Sequence, residues 1–123
     1  MAGRASEIDI AFLEGFLDAW NRHDLDAILA FLTPDCIYIT GAGDRLDGHP
    51  AIRTGLAAFL DAYPDAHWSH ATHFVAGDRG ASEWIFTATS DGRRMRLDSC
   101  DLFTFRDGRI ARVSAYRRAR DGR

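Results

Sequence analysis

Asp101 is the side chain in this sequence best placed for proton chemistry. It lies in the run Met95 to Phe105, which reads as a long strand. Side chains alternate along a strand, so Ser99, Phe103 and Phe105 share its side. An acid set among aromatic rings is costly to ionise, so its pKa is driven upward. Such a carboxyl group can exchange a proton with a substrate near neutral pH. While neutral it can also donate a hydrogen bond to a developing oxyanion. The competing reading is a structural aspartate bonded to backbone amides or to a subunit partner.

Possible helpers are few. Tyr38 and Thr40 are two residues apart in Cys36-Ile37-Tyr38-Ile39-Thr40, so they share a strand face. Tyr38 either offers a hydroxyl group or simply packs. Among His67, His70 and His73, His70 is the choice for a proton carrier beside Asp101, because Trp68 shares its face and imidazole titrates near neutrality. The three do not read as a metal site: His70 points away from the other two on a regular strand, whereas metal ligands must converge on one ion. Phe16 and Trp20, four apart on a helix, and Trp84 and Phe86, two apart on a strand, read as pocket wall. Phe59 from the third helix, with Thr40, Ser99 and Phe103, completes the expected substrate-binding set. The competing reading for the aromatics is a solid core.

These residues need elements to hold them. Ile8, Phe12, Leu13, Phe16, Leu17 and Trp20 recur at spacings of three and four, predicting a helix over about 6–22 with Ser6 as its N-cap. Asp24 caps a second short helix, and Pro34 ends it. A strand follows over 36–40, then a Gly- and Asp-rich loop over 41–48. A third helix begins near Pro50, with Ile52, Leu56, Phe59, Leu60 and Tyr63 on one face, and Pro64 ends it. The period then changes. Strands are predicted over 68–76, 82–89, 95–105 and 110–116, joined by turns at Gly77 to Gly80, Ser90 to Gly92 and Arg106 to Gly108. Helices before an antiparallel meander indicate an α+β fold of one domain spanning residues 1–123.

Composition narrows the function. Net charge is −3, which gives nucleic-acid binding no electrostatic support. Arginines crowd the C-terminus at 109, 112, 117, 118, 120 and 123. They read either as a solvated last strand and tail or as an anion-binding patch. The chain has no lysine, so Schiff-base catalysis is excluded. Cys36 and Cys100 form no CxxC pair and read as buried small hydrophobes in a reducing compartment. No apolar run reaches the length of a membrane span, and a cytoplasmic location is expected. Nothing calls for a cofactor or a metal. Three Trp, three Tyr and eight Phe could line a hollow for an apolar ligand.

Three segments carry a resemblance. The run from Trp20 through Asn21, Arg22, His23 and Asp24 to Ile28 resembles the helix-break-helix signature of the nuclear transport factor 2-like superfamily. So do Gly48-His49-Pro50-Ala51-Ile52 and Asp101 to Ile110, in matching order and spacing over nearly the whole chain. Its SnoaL-like polyketide cyclase and ketosteroid isomerase branches are the most similar. The resemblance implies a cone: a curved antiparallel or mixed sheet wrapped around helices, with a hydrophobic pocket open at one end and dimers formed through the sheet's outer face. It also implies that an aspartate at the place of Asp101 serves as the oxyanion donor of the isomerases. Two isomerase groups are missing. The general base falls at Thr40 and the oxyanion tyrosine of the first helix at Phe16, so ketosteroid isomerisation by that mechanism is not expected. In the epoxide-hydrolase branch two acids and an arginine position a water. Arg96 and Asp98 supply one such pair but alternate out of phase with Asp101, and the last acid falls at Ala115. An exposed cross-strand pair is the simpler reading.

Two functions stay open. One is a cofactor-free isomerase, cyclase or hydratase acting on an apolar carbonyl compound, with Asp101 as acid–base or oxyanion donor, assisted by Tyr38 and His70. The other is a non-catalytic binding or assembly domain of the same fold. The first requires Asp101 to face a cavity of roughly 300 Å3 or more. A homodimer is expected, because Ile85, Cys100 and Leu102 on the sheet's second face need cover.

Overall fold

The computed structural model describes residues 8–119. The elements run α1 (Ile10–Asn21), α2 (Leu25–Ala30), β1 (Leu32–Ile39), β2 (Arg45–Asp47), α3 (Gly48–Ala62), β3 (His67–Ala76), β4 (Arg79–Ser90), β5 (Arg93–Arg106) and β6 (Arg109–Ala119). The six strands form one sheet in the order β2-β1-β6-β5-β4-β3. β1 runs parallel to β6, and every other neighbouring pair is antiparallel. This is the expected α+β fold: three helices against one curved, unclosed mixed sheet.

Several boundaries differ from expectation. Helix α1 starts at Ile10 with Asp9 as its cap, the Asp9 side chain accepting from the Phe12 amide. Ser6, the expected cap, lies outside the described residues, as do Arg120 and Arg123. Asp24 does cap α2, accepting from the Ala27 amide. Strand β1 begins at Leu32, so Pro34 lies inside it instead of between a helix and a strand. Its register against β6 breaks between Leu32 and Ile37, where a proline lacking an N–H is tolerated. The loop over 41–48 contains a short edge strand, β2.

Two of the resembling segments prove to be joints. At the end of α1 the Asn21 side chain donates to the Trp68 carbonyl and accepts from the Trp68 amide, both at 2.9 Å. His23, with φ +55°, lies 2.8 Å from the Ala66 carbonyl. Together they lock α1 to the start of β3. His49 bonds the Leu32 carbonyl and ties α3 to β1. Bulges interrupt β3 against β4 between Ser69 and Thr72, and β5 against β6 between Thr104 and Phe105. Such irregularities bend a sheet. The concave face takes α1 and α3. One end is filled solid by Phe12, Phe16, Phe31, Phe103 and Phe105, whose rings touch edge-on, tilted or stacked. The other end is lined by aromatics that leave a space.

Candidate active site

The space at the open end is lined by Trp20 of α1, Tyr38 of β1 and Thr40 just beyond it, Gly55, Leu56 and Phe59 of α3, and Trp68 and Trp84 of β3 and β4. Ser99 and Asp101 of β5 and Ala115 and Arg117 of β6 complete it. It exists because small side chains fall between large ones. Asp101 stands opposite Ser82 on one side and Ala115 on the other, so no bulky neighbour covers it. The cavity measures about 70 Å3, well under the expected 300 Å3. Packed rings account for the shortfall: Trp20 lies 5.1 Å from Trp68 and 6.4 Å from Phe59 between centroids.

Asp101 is 5% exposed. Among the described residues no hydrogen bond or ion pair engages its carboxyl group, so burial dominates and pushes its pKa up to about 7. The Arg117 cation works against that rise. The aspartate is thus neither a structural acid bonded to amides nor one facing water. Burial, and secondly the nearby Asp101 charge, hold the Tyr38 phenol well above its ordinary pKa. Tyr38 therefore stays a hydroxyl donor. Asp101, Tyr38 and Arg117 are the charged or titratable groups around the hollow. The helices, β3 and β4 present Trp20, Leu56, Phe59, Trp68 and Trp84 to it.

Two polar groups of the lining are orphaned. The Trp20 Nε1 and the Ser99 Oγ are buried without a hydrogen-bond partner. Buried polar atoms are nearly always satisfied, so these two call for a partner such as a water or a bound molecule. Thr40 is occupied: its hydroxyl oxygen accepts from the Asp44 amide at 3.1 Å.

Arg117 sits at the mouth. Its guanidinium lies over the Phe59 ring at 5.3 Å and the Phe86 ring at 5.7 Å from the centroids. Gly41 makes this possible, because a Cβ there would stand 2.2 Å from the Arg117 Nε. On β6, Arg117 is opposite Ser99 and diagonal to Asp101 on the same face.

Of the expected site residues, the structure brings together Asp101, Tyr38, Thr40, Trp20, Phe59, Trp84 and Ser99. It does not bring four others. His70 is exposed, with φ +57° at the β3 bulge and Nδ1 3.0 Å from the Ser69 Oγ. The bulge breaks the alternation that put it beside Trp68. His73 beyond the bulge turns inward to the Ser82 Oγ at 2.7 Å. Phe16 and Phe103 belong to the solid end, and Phe86 lies behind the wall, supporting Arg117. Asp98 meets Arg118 at 3.5 Å across β5 and β6, away from the cavity lining, and Arg96 is exposed. Trp68, Leu56, Ala115 and Arg117 were not anticipated. For Arg117 the signal was parity: Val113, Ala115 and Arg117 alternate on one face of the last strand.

A curved sheet closed by helices over an aromatic hollow with one buried acid defines a cystatin-like cone fold. The chain belongs to the SnoaL-like domain family, which matches residues 13–113. It is similar to a candidate polyketide cyclase from Xanthomonas campestris, with 26% identity over 92% of this chain and 89% of that one, and a TM-score of 0.80. A candidate polyketide cyclase from Pseudomonas putida has the same fold at 23% identity, over 91% and 90% of the two chains, with a TM-score of 0.79. So does a Catenulispora acidiphila protein with a ketosteroid isomerase-like fold, at 17% identity, 89% and 86% coverage and a TM-score of 0.79. No curated protein matches by sequence. Among the described residues no helix is long and apolar enough to cross a membrane.

Proposed function

We propose that this protein is a cofactor-free isomerase, cyclase or hydratase acting on a small apolar carbonyl compound, with Asp101 as the proton-transferring group. The observation that carries this is a buried carboxyl group in an aromatic hollow, engaged by no hydrogen bond among the described residues; the hollow falls short of the roughly 300 Å3 expected, which restricts the substrate to a small one. With a pKa of about 7 it is divided between acid and base near neutral pH, the condition for efficient proton transfer. As a base it takes a proton from the carbon beside a carbonyl group. The electron pair moves onto the carbonyl oxygen, and the Tyr38 hydroxyl donates a hydrogen bond to that oxyanion. Asp101 then returns the proton at another position, or the enolate carbon attacks a second carbonyl carbon of the same molecule, whose π bond breaks as the ring closes and whose oxygen takes the proton from Asp101. His70 has no part in this.

The test is deuterium wash-in at the α-carbon of small aromatic ketones in D2O, followed by NMR. The native protein is expected to exchange, and Asp101→Asn to slow exchange by about 100-fold or more. Undiminished exchange by Asp101→Asn refutes the assignment. Ligand binding without exchange by the native protein makes this a binding domain of the same fold.

Leu102, at 37% exposure, and Tyr116, at 57%, lie on the outer face of adjacent strands β5 and β6. They support a homodimer through that face. Two free thiols, Cys36 buried and Cys100 half-buried, suit a reducing compartment such as the cytoplasm.

A further inference from the structure

We propose that Arg117 is the anion-binding group of this cavity and that the substrate is a carboxylate carried on a single small planar ring. The proposal rests on reading the hollow as the substrate site.

Three observations lead there. First, Arg117 is exposed at the mouth, held in place and not spent on an ion pair. Its guanidinium is stacked on Phe59 and Phe86, Gly41 clears its path, and among the described residues no carboxylate pairs with it. A guanidinium is always charged and only donates, and a carboxylate matches its fork with two parallel bonds. Second, the two groups of the lining that are buried without a partner can both donate. The Trp20 Nε1–H can do nothing else, and the Ser99 hydroxyl stands opposite Arg117 on the neighbouring strand. Both are already buried unpaired, so a ligand that brings acceptors gains bonds that a wholly apolar one leaves unmade. A carboxylate brings about four lone-pair sites. Third, the walls are flat rings from Trp20, Tyr38, Phe59, Trp68 and Trp84 around about 70 Å3, a slot that admits at most one ring, part of it left at the mouth, and excludes a fused polycycle.

Charge around the site is compatible. Within the hollow Asp101 and Tyr38 are the titratable groups near Arg117, and α1, α3, β3 and β4 contribute uncharged side chains; Glu83, Asp98, Cys100, Tyr116 and Arg118 adjoin Arg117 in the neighbouring groove. A protonated Asp101 does not repel an anion. An anion seated on Arg117 offsets the cation that helps Asp101 ionise, so binding favours the protonated acid.

The experiment is calorimetric titration with benzoate and with benzamide, its neutral counterpart of the same shape. The native protein, Arg117→Gln and Arg117→Lys are compared at pH 6, with circular dichroism confirming that each variant is folded. The native protein is expected to prefer benzoate by about ten-fold or more. Arg117→Gln should bring the preference below about two-fold, and Arg117→Lys should keep part of it. Benzoate affinity should fall as pH rises past about 7, with proton uptake on binding that Asp101→Asn abolishes. Benzamide binding without a benzoate preference, or a preference that survives Arg117→Gln, overturns the role of Arg117 and leaves the proposed function standing. Failure of both probes to bind the native protein overturns both.

Discussion

Replacing Asp101 by Asn should stabilise the protein at alkaline pH and leave it unchanged in acid. Asp101 titrates near 7 in the fold, against an ordinary aspartate value of 3.8. Below about 4 the carboxyl group is protonated in both folded and unfolded chains and affects neither. Between about 4 and 7 the unfolded chain has released that proton and the folded chain retains it. The unfolded state then binds fewer protons, and stability falls as pH rises. Above about 7 the loss is complete. About three pH units at 1.36 kcal/mol each give a penalty on the order of 4 kcal/mol. Asn has the same shape and no charge, so the variant escapes this penalty. Urea denaturation of both proteins from pH 4.5 to 8.5 measures the gap, which should open with rising pH. A thermal shift on the order of 10 °C at pH 8.5 should accompany it. Asp35 and Asp65 have lowered pKa values, through the Thr33 and Thr89 hydroxyls first, and their opposite pH dependence is common to both proteins and cancels. Parallel curves with no widening gap would mean that Asp101 ionises as if in water, and the chemistry proposed for it would fall with that result.

Removing the Arg117 cation with Arg117→Met should move the Asp101 titration, read from the pH profile of α-proton exchange, above about 7, since this charge opposes the burial effect. A profile that stays put or moves to acid contradicts the placement of Arg117. Gly80→Ala should destabilise by roughly 1–3 kcal/mol in urea melts, because a Cβ there meets the Phe105 ring at 2.8 Å and the Phe74 carbonyl at 2.9 Å. Asp24→Ala removes the side-chain acceptor for the Ala27 amide and should cost about 1 kcal/mol. Tyr116→Glu should convert a dimer to a monomer in light scattering, and an unchanged mass would place any dimer contact elsewhere.

Periodicity made most of the fold legible. Apolar residues at helical spacing gave way to alternating runs after Pro64, and the Asp-Gly turns marked the hairpins. The losses occur where local rules break. β2 is three residues long at the sheet edge, too short for alternation to register against a background of Gly and Asp. Pro34 reads as a stop, yet it lies in β1 at the irregular stretch where the ladder with β6 is interrupted. The bulge at His70 has no sequence mark beyond a histidine that tolerates positive φ, and that one residue reverses which side of β3 faces inward.

The same logic separates the part of the site that could be read from the part that could not. Asp101, Ser99 and Trp84 lie on a β4–β5 ladder with continuous register, so strict alternation places them correctly. Phe103 and Phe105 obey that alternation too and still miss the cavity. Alternation reports which face a residue occupies and says nothing of how far along the cone it lies. Distance along the cone decides between hollow and solid core, and it follows from where helix α1 crosses the strands: Phe16 meets Phe103, while Trp20, four residues on, meets Trp68. Arg117 was hidden differently. It sits in an arginine-rich run whose bulk reading is a solvated strand, and Arg112, Arg117 and Arg118 are all exposed. Parity sets Arg117 apart with Val113 and Ala115, and Gly41 in another segment supplies the gap its side chain needs. The cation at the mouth therefore depends on two positions 76 residues apart, a relation that only the folded chain brings into view.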